Sequence, residues 1–267
     1  MKRTTGVAGF PPPLLILFLF LSLVLLGVPT PGRAAGGPIR IATGEWPPYS
    51  SENIENFGVA AEIVTHAFEE MGVAVELVFY PWARCYESVR SGKVWGAFPF
   101  APTEERAEAV DFSDTILYSA SKLFYFDTPP KGLRFSTVAD LAPFRIGGVS
   151  GYYYESLLDA AGIEGDYAPK PRNGLEKLMR GRTDLFIANE LAAWYLIRRT
   201  FPENAHRFGT LSKPLYRHGL RMIVPRQRSG AGPSLAAFNA ALASVKDDLF
   251  YRAILKKLHS GGRPDGP

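Results

Sequence analysis

Arg106 stands in the run Phe98-Pro-Phe-Ala-Pro-Thr103-Glu-Glu-Arg106-Ala-Glu-Ala-Val-Asp111-Phe-Ser113, where a buried strand gives way to a short helix. Thr103 is placed to cap that helix, and Arg106 falls in its first turn. A cation is unfavourable near the positive end of a helix dipole, so local stability does not account for an arginine there. Set beside backbone N–H groups, the guanidinium would form a bidentate site for a carboxylate. On chemistry alone the alternative is an ion pair to Glu104, Glu105 or a distant acid. Trp46, Trp82, Tyr152 and Tyr153 lie at other loop-to-helix junctions. They would make a stacking platform for a planar ligand or a cage for a cation, or else act as packing anchors. Arg84 reads as a second anion contact or as a residue of a solvated helix face.

Other chemistries find little support. The single cysteine, Cys85, excludes an internal disulfide framework, and without a histidine at ligand spacing it reads as an inert helix residue. His66, His206, His218 and His259 show no metal-site spacing. There is no nucleophile elbow, metal motif or nucleotide loop, so no cofactor is expected. The formal charge of +4 is misleading, because the first 34 residues hold Lys2, Arg3 and Arg33 and no acid. Without those three of the 30 Lys and Arg, 27 bases face 26 acids. A nearly neutral chain gives no basic field for nucleic acid.

Leu14 to Leu26 are apolar except for Ser22, follow a basic start, and precede Pro29, Pro31 and the small residues Gly32 and Ala34. This is the layout of a signal peptide over residues 1–34, with cleavage after Ala34. The stretch of 13 residues is short of the about 20 that a spanning helix needs. A soluble, exported mature chain is expected.

Beyond the leader, short β-like runs alternate with amphipathic helical runs, which argues an α/β architecture. Strands are expected at Ile39–Thr43, Val73–Phe79, Val94–Phe98, Arg145–Val149 and Asp184–Ala188. Helices are expected over Ala60–Met71, Trp82–Arg90, Tyr152–Ala161, a segment capped by Asn173 and ending at Gly181, and Glu190–Arg199. Two extended runs, Ile116–Phe126 and Tyr216–Val224, are long enough to pass between domains. One long helix from Ser234 to Leu258 is expected to close the chain.

Thr103-x-x-Arg106 after a strand, then Asp111-Phe-Ser113, resembles the family 3 extracellular solute-binding proteins, the periplasmic receptors of polar amino-acid ABC importers. The likeness runs from Ile39-Arg-Ile-Ala-Thr43 to the C-terminal helix. It implies a two-lobe periplasmic-binding-protein fold of type II, with two hinge strands and a ligand clamped between the lobes. Lobe 1 would comprise 38–122 and 219–262, and lobe 2 would comprise 123–218. Arg106 matches the arginine that grips a ligand carboxylate, and Trp46, in Gly44-Glu-Trp-Pro-Pro-Tyr49, matches an aromatic packed over the ligand. Phe98 and Pro99 match positions that usually supply small polar contacts. Ser150-Gly-Tyr152-Tyr153-Tyr-Glu155 matches the lobe 2 turn whose N–H groups help hold the carboxylate. Asn189 falls where an aspartate usually meets the ligand ammonium. Either Glu190 or Glu45 restores that charge, or the ligand is no ordinary α-amino acid.

The resemblance therefore implies a monomeric, non-catalytic receptor that hands a small carboxylate-bearing solute to an inner-membrane ABC permease. Its binding set would be Trp46, Tyr49, Trp82, Phe98, Phe100, Thr103, Arg106, Ser150, Tyr152, Tyr153 and Asn189. Two other readings stay open. One is a dehydratase-like enzyme on a cyclic carboxylate, with Glu45 or Glu190 as proton donor. The other is a receptor that presents its ligand to a membrane sensor.

Overall fold

The structure is a computed structural model that describes residues 37–226 and 232–262; the expected leader over 1–34 and its expected cleavage point lie outside the described residues. Among the described residues ten strands join in one sheet, in the order Val75–Phe79, Ile39–Thr43, Gly96–Phe100, Tyr216–Pro225, Leu117–Phe126, Leu185–Asn189, Ile146–Val149 and Asp166–Ala168, with Val110–Phe112 beside Tyr216–Pro225 and Phe208–Thr210 beside Leu117–Phe126. The first half is built from β1 (Ile39–Thr43), α1 (Val59–Glu70), β2 (Val75–Phe79), α2 (Trp82–Arg90) and β3 (Gly96–Phe100). A short α3 (Glu104–Ala109) and β4 (Val110–Phe112) follow. As two successive βαβ units require, β1 pairs in parallel with both β2 and β3.

The chain then crosses to the second half along β5 (Leu117–Phe126). There it forms β6 (Ile146–Val149), α4 (Tyr154–Ala160), β7 (Asp166–Ala168), α5 (Pro171–Met179) and β8 (Leu185–Asn189). After α6 (Glu190–Thr200) and β9 (Phe208–Thr210) it returns along β10 (Tyr216–Pro225). It ends with α7 (Leu235–Asp247), packed on α1 of the first half, and α8 (Leu249–Gly262), which lies against both α1 and α6. The expected single C-terminal helix is thus two. Asp248 is extended, at φ −79° and ψ 156°, and its carboxylate accepts the Phe250 N–H, the behaviour of a residue that starts a new helix. Nor does Asn173 begin α5. Pro171, whose fixed φ suits a first helical turn, starts it two residues earlier.

Each half buries its sheet on both faces. In the first, Phe68 of α1 and Phe238 of α7 pack with Phe98 of β3 on one face, while Cys85 and Val89 of α2 cover Ala42 and Ala97 on the other. In the second, Leu175, Trp194 and Ile197 of α5 and α6 cover Phe124 and Phe186, and Tyr154 and Leu158 of α4 cover Leu123 and Ile187. Phe98 was expected to wall a ligand cleft; its ring is instead wholly buried in the first core.

Gly174 shows how closely these layers meet. A Cβ there would lie 2.1 Å from the Phe186 ring. Helix propensity favours Gly→Ala by about 1 kcal/mol, whereas overpacking a filled core costs about 1–3 kcal/mol. Gly174→Ala is therefore expected to lower the urea midpoint of unfolding; an increase would show that Phe186 yields without cost.

Candidate functional site

On the first half the site starts at the C-terminal end of β3. Thr103 Oγ1 accepts the Arg106 N–H at 3.2 Å, so the expected cap forms. Arg106 Nη1 donates to the Ala101 carbonyl at 2.8 Å, and the guanidinium lies 5.3 Å from the centre of the Phe100 ring. No acid pairs with it among the described residues. The alternative of an ion pair to Glu104 or Glu105 is not what the structure adopts. The Trp82 and Phe100 rings stand nearly perpendicular with centres 5.5 Å apart, and Gly44 backs onto Trp82 so tightly that a Cβ would sit 2.6 Å from the indole. Gly44, Trp82, Phe100 and Arg106 thus form one continuous wall, in which Phe100 is largely buried packing rather than open surface.

The β1–α1 loop adds Trp46, whose ring lies tilted by 30° against Tyr49 with ring centres 4.3 Å apart. Tyr49 is fully buried, and burial pushes its phenol up to about 12. It stays protonated, and its hydroxyl accepts from Asn189 Nδ2 at 3.2 Å, a direct contact between the two halves. The same Nδ2 donates to Ser119 Oγ at 2.7 Å, while Oδ1 accepts the Ala192 N–H at 3.0 Å and caps α6. Every polar atom of Asn189 is therefore committed. Its amide acts as a strut between the halves, not as the open ligand contact that was expected.

The second half supplies the turn after β6. Ser150 N–H donates to the Ala168 carbonyl at 3.0 Å, and the Gly151 N–H donates to Glu155 Oε1 at 2.7 Å. The chain's own carboxylate thus takes a turn donor that was expected to meet a ligand. Tyr152 and Tyr153 are 45% and 38% exposed, enough ring surface to face a solute. Tyr152 stacks on Tyr154 at 5.6 Å, and Tyr153 leans on Tyr216 at 4.9 Å.

Strand register gathers further residues that sequence reasoning missed. Tyr216 opposes Ser121, His218 opposes Ser119, and Ser121 opposes Asn189, so these five side chains share one face of the hinge strands. The signal was present in Leu117-Tyr-Ser-Ala-Ser-Lys-Leu, where two serines two apart must project together from a strand. His218 completes the group. Its Nδ1 is buried without a partner among the described residues, and desolvation holds its pKa below the ordinary histidine value.

The two carboxylates offered as replacements for a countercharge are also accounted for. Glu190 is paired with Lys122 at 2.7 Å, and Glu45 Oε1 accepts the Glu52 N–H at 2.8 Å. Cys85, whose thiol burial raises to about 11, donates to the Thr43 carbonyl at 3.2 Å and is inert at neutral pH.

A depressed histidine has a defined linkage. Below about pH 6.5 the unfolded imidazole takes a proton that folded His218 resists, so stability falls with pH in that range. His218→Gln is expected to flatten this dependence between pH 7 and 5.5, read from denaturant midpoints. An unchanged slope would place the titration elsewhere.

Comparison with known proteins follows this geometry. The family model described as bacterial extracellular solute-binding proteins, family 3, matches residues 39–260. No curated protein matches by sequence. Among solved structures, the chain is similar to the GluR0 ligand-binding core from Nostoc punctiforme in complex with L-glutamate. That match has 18% identity and a TM-score of 0.64, and covers 83% of this chain and 99% of that one. It is similar to the arginine-, lysine- and histidine-binding protein ArtJ from Geobacillus stearothermophilus, at 18% identity and a TM-score of 0.62, covering 86% and 97%. It also resembles a histidine kinase sensor domain with similarity to periplasmic binding proteins, at 21% identity and a TM-score of 0.65, covering 83% and 95%.

Proposed function

The chain belongs to the bacterial extracellular solute-binding proteins of family 3, and we propose that it is a non-catalytic receptor for a small carboxylate-bearing solute. The observation that carries this reading is the Arg106 guanidinium, held by Ala101 and Phe100 with no acid partner among the described residues. A fixed cation at a strand end, backed by aromatic rings, is matched by a carboxylate that approaches bidentately. Lobe 1 would span 38–122 and 219–262, and lobe 2 would span 123–218, with β5 and β10 as hinges. Trp46, Trp82 and Thr103 would flank the solute from lobe 1, and Ser150, Tyr152 and Tyr153 from lobe 2. A solute that touches both lobes favours the closed state only by its differential affinity for it.

In this reading the chain is exported through a cleaved leader to the periplasm and delivers its solute to an inner-membrane ABC permease. The amino-acid receptors among its structural neighbours support a solute of amino-acid size. The kinase sensor neighbour favours a second reading, in which the loaded receptor is presented to a membrane sensor. An enzyme is disfavoured by the commitments of Glu190 to Lys122 and of Glu45 to the Glu52 N–H, since both proposed proton donors are already engaged.

Native mass spectrometry of freshly purified protein is the route to the solute, and calorimetry on that solute is the test. Loss of a charge-assisted bidentate contact is expected to cost about 2–4 kcal/mol of binding in Arg106→Ala. The thermal midpoint of the unliganded variant should stay unchanged. Equal affinity in the variant would remove Arg106 from the site and the reading with it.

A further inference from the structure

A second concavity lies on the reverse of the hinge strands. Register sets Arg217 opposite Ala120 and Gly219 opposite Tyr118, so Tyr118, Ala120, Lys122 and Arg217 share the face turned away from Ser119, Ser121 and His218. Over that face sits a cavity of about 750 Å³, whose lining also takes in Tyr49 and Ser119. Tyr251 and Leu255 of α8 form one side, and Glu190 and Trp194 of α6 with Phe208 of β9 form the other. Small-molecule sites fall in the range of about 300–1,000 Å³, so the space suffices for a ligand of one or two rings.

Its lining defines the chemistry. Lys122 and Glu190 neutralise each other at 2.7 Å. The Arg217 guanidinium lies 4.7 Å from the centre of the Tyr118 ring and pairs with no acid among the described residues. One uncompensated cation remains, amid the rings of Tyr118, Trp194, Phe208 and Tyr251. A cation calls for an anion, and flat apolar walls for a flat apolar body. We propose that this cavity is a second small-molecule site, selective for a planar aromatic monocarboxylate whose carboxylate meets Arg217.

The walls belong to different cores. Tyr251 and Leu255 pack with the Phe68 and Phe238 core of the first half, whereas Trp194 and Phe208 belong to the Phe124 and Phe186 core of the second. An occupant touches elements of both halves, and Tyr49 and Ser119 in the lining connect it to Asn189, which bonds to both. Rotation about the hinge changes the separation of those walls, so the rear occupant and a cleft solute are energetically linked. This linkage rests on the receptor reading; the rear site itself does not.

The probe is 2-naphthoate, titrated calorimetrically into the purified protein, into Arg217→Ala and Tyr118→Ala, and into Arg106→Ala as the cleft control. The expected result is binding that weakens at least about tenfold in both rear variants, one charge-assisted contact or one stacked ring each, and stays within about twofold in Arg106→Ala. Absence of binding at millimolar probe, or affinity unchanged in Arg217→Ala, overturns the site. Loss in Arg106→Ala alone places the probe in the cleft and overturns it equally. Small-angle scattering on the same samples is expected to show a radius of gyration that shifts along the binding isotherm. A constant radius with intact rear binding overturns the linkage but leaves the site.

Discussion

The antiparallel pairing of β5 with β10 is the constraint on which the rest of the architecture depends. These two ten-residue strands carry the chain out to the second half and back again. Strand periodicity sends Ser119, Ser121, Tyr216 and His218 to one face and Tyr118, Lys122 and Arg217 to the other. A slip of one residue would exchange the two sets, and with them the chemistry of both faces. The register is pinned at one end by Leu117 and Leu220, buried in the first core, and at the other by Leu123 and Phe124, buried in the second. Hydrophobic burial thus sets the alignment, and the polar residues between inherit their places.

Across this hinge the direct polar tie between Asn189 and Tyr49 is slight. A single hydrogen bond between neutral groups contributes on the order of 1 kcal/mol net, little enough for a bound solute to outweigh. The amide is nonetheless fully used, because its other bonds, to Ser119 and to the α6 N-terminus, stay within the hinge and the second half. The charge arrangement is equally economical. Glu155 is held by its own turn, Glu190 by Lys122 and Glu45 by the Glu52 N–H, while Arg106 and Arg217 meet no acid among the described residues.

Much of the local structure was legible in the residues. The limits of β1 and α2 coincide with those read from sequence, because the short β-like run Ile39-Arg-Ile-Ala-Thr43 and a helical stripe flanked by Pro81 and Gly92 are local signals. Short β4, β7 and β9 carried no readable pattern, since three residues hold too little periodicity. The break at Asp248 was hidden because apolar residues recur on both sides of it, so one stripe spans two helices. Thr103 was readable as a cap from its type and spacing alone, while the start of α5 was assigned to Asn173 because its pattern outweighed Pro171.

By itself the sequence determined the alternation of strands and helices, the two long crossing strands, the inertness expected of a lone cysteine, and an arginine in a first turn that local stability would not select. Tertiary structure alone decided that Phe98 is core, that Asn189 braces the halves, that Glu155 fills its own turn, and that Ser119 and His218 stand together. The reason is physical. Spacing along the chain encodes backbone conformation, which neighbours a few residues apart dictate, whereas the partner of a polar group is chosen by packing between segments as distant as Tyr49 and Asn189.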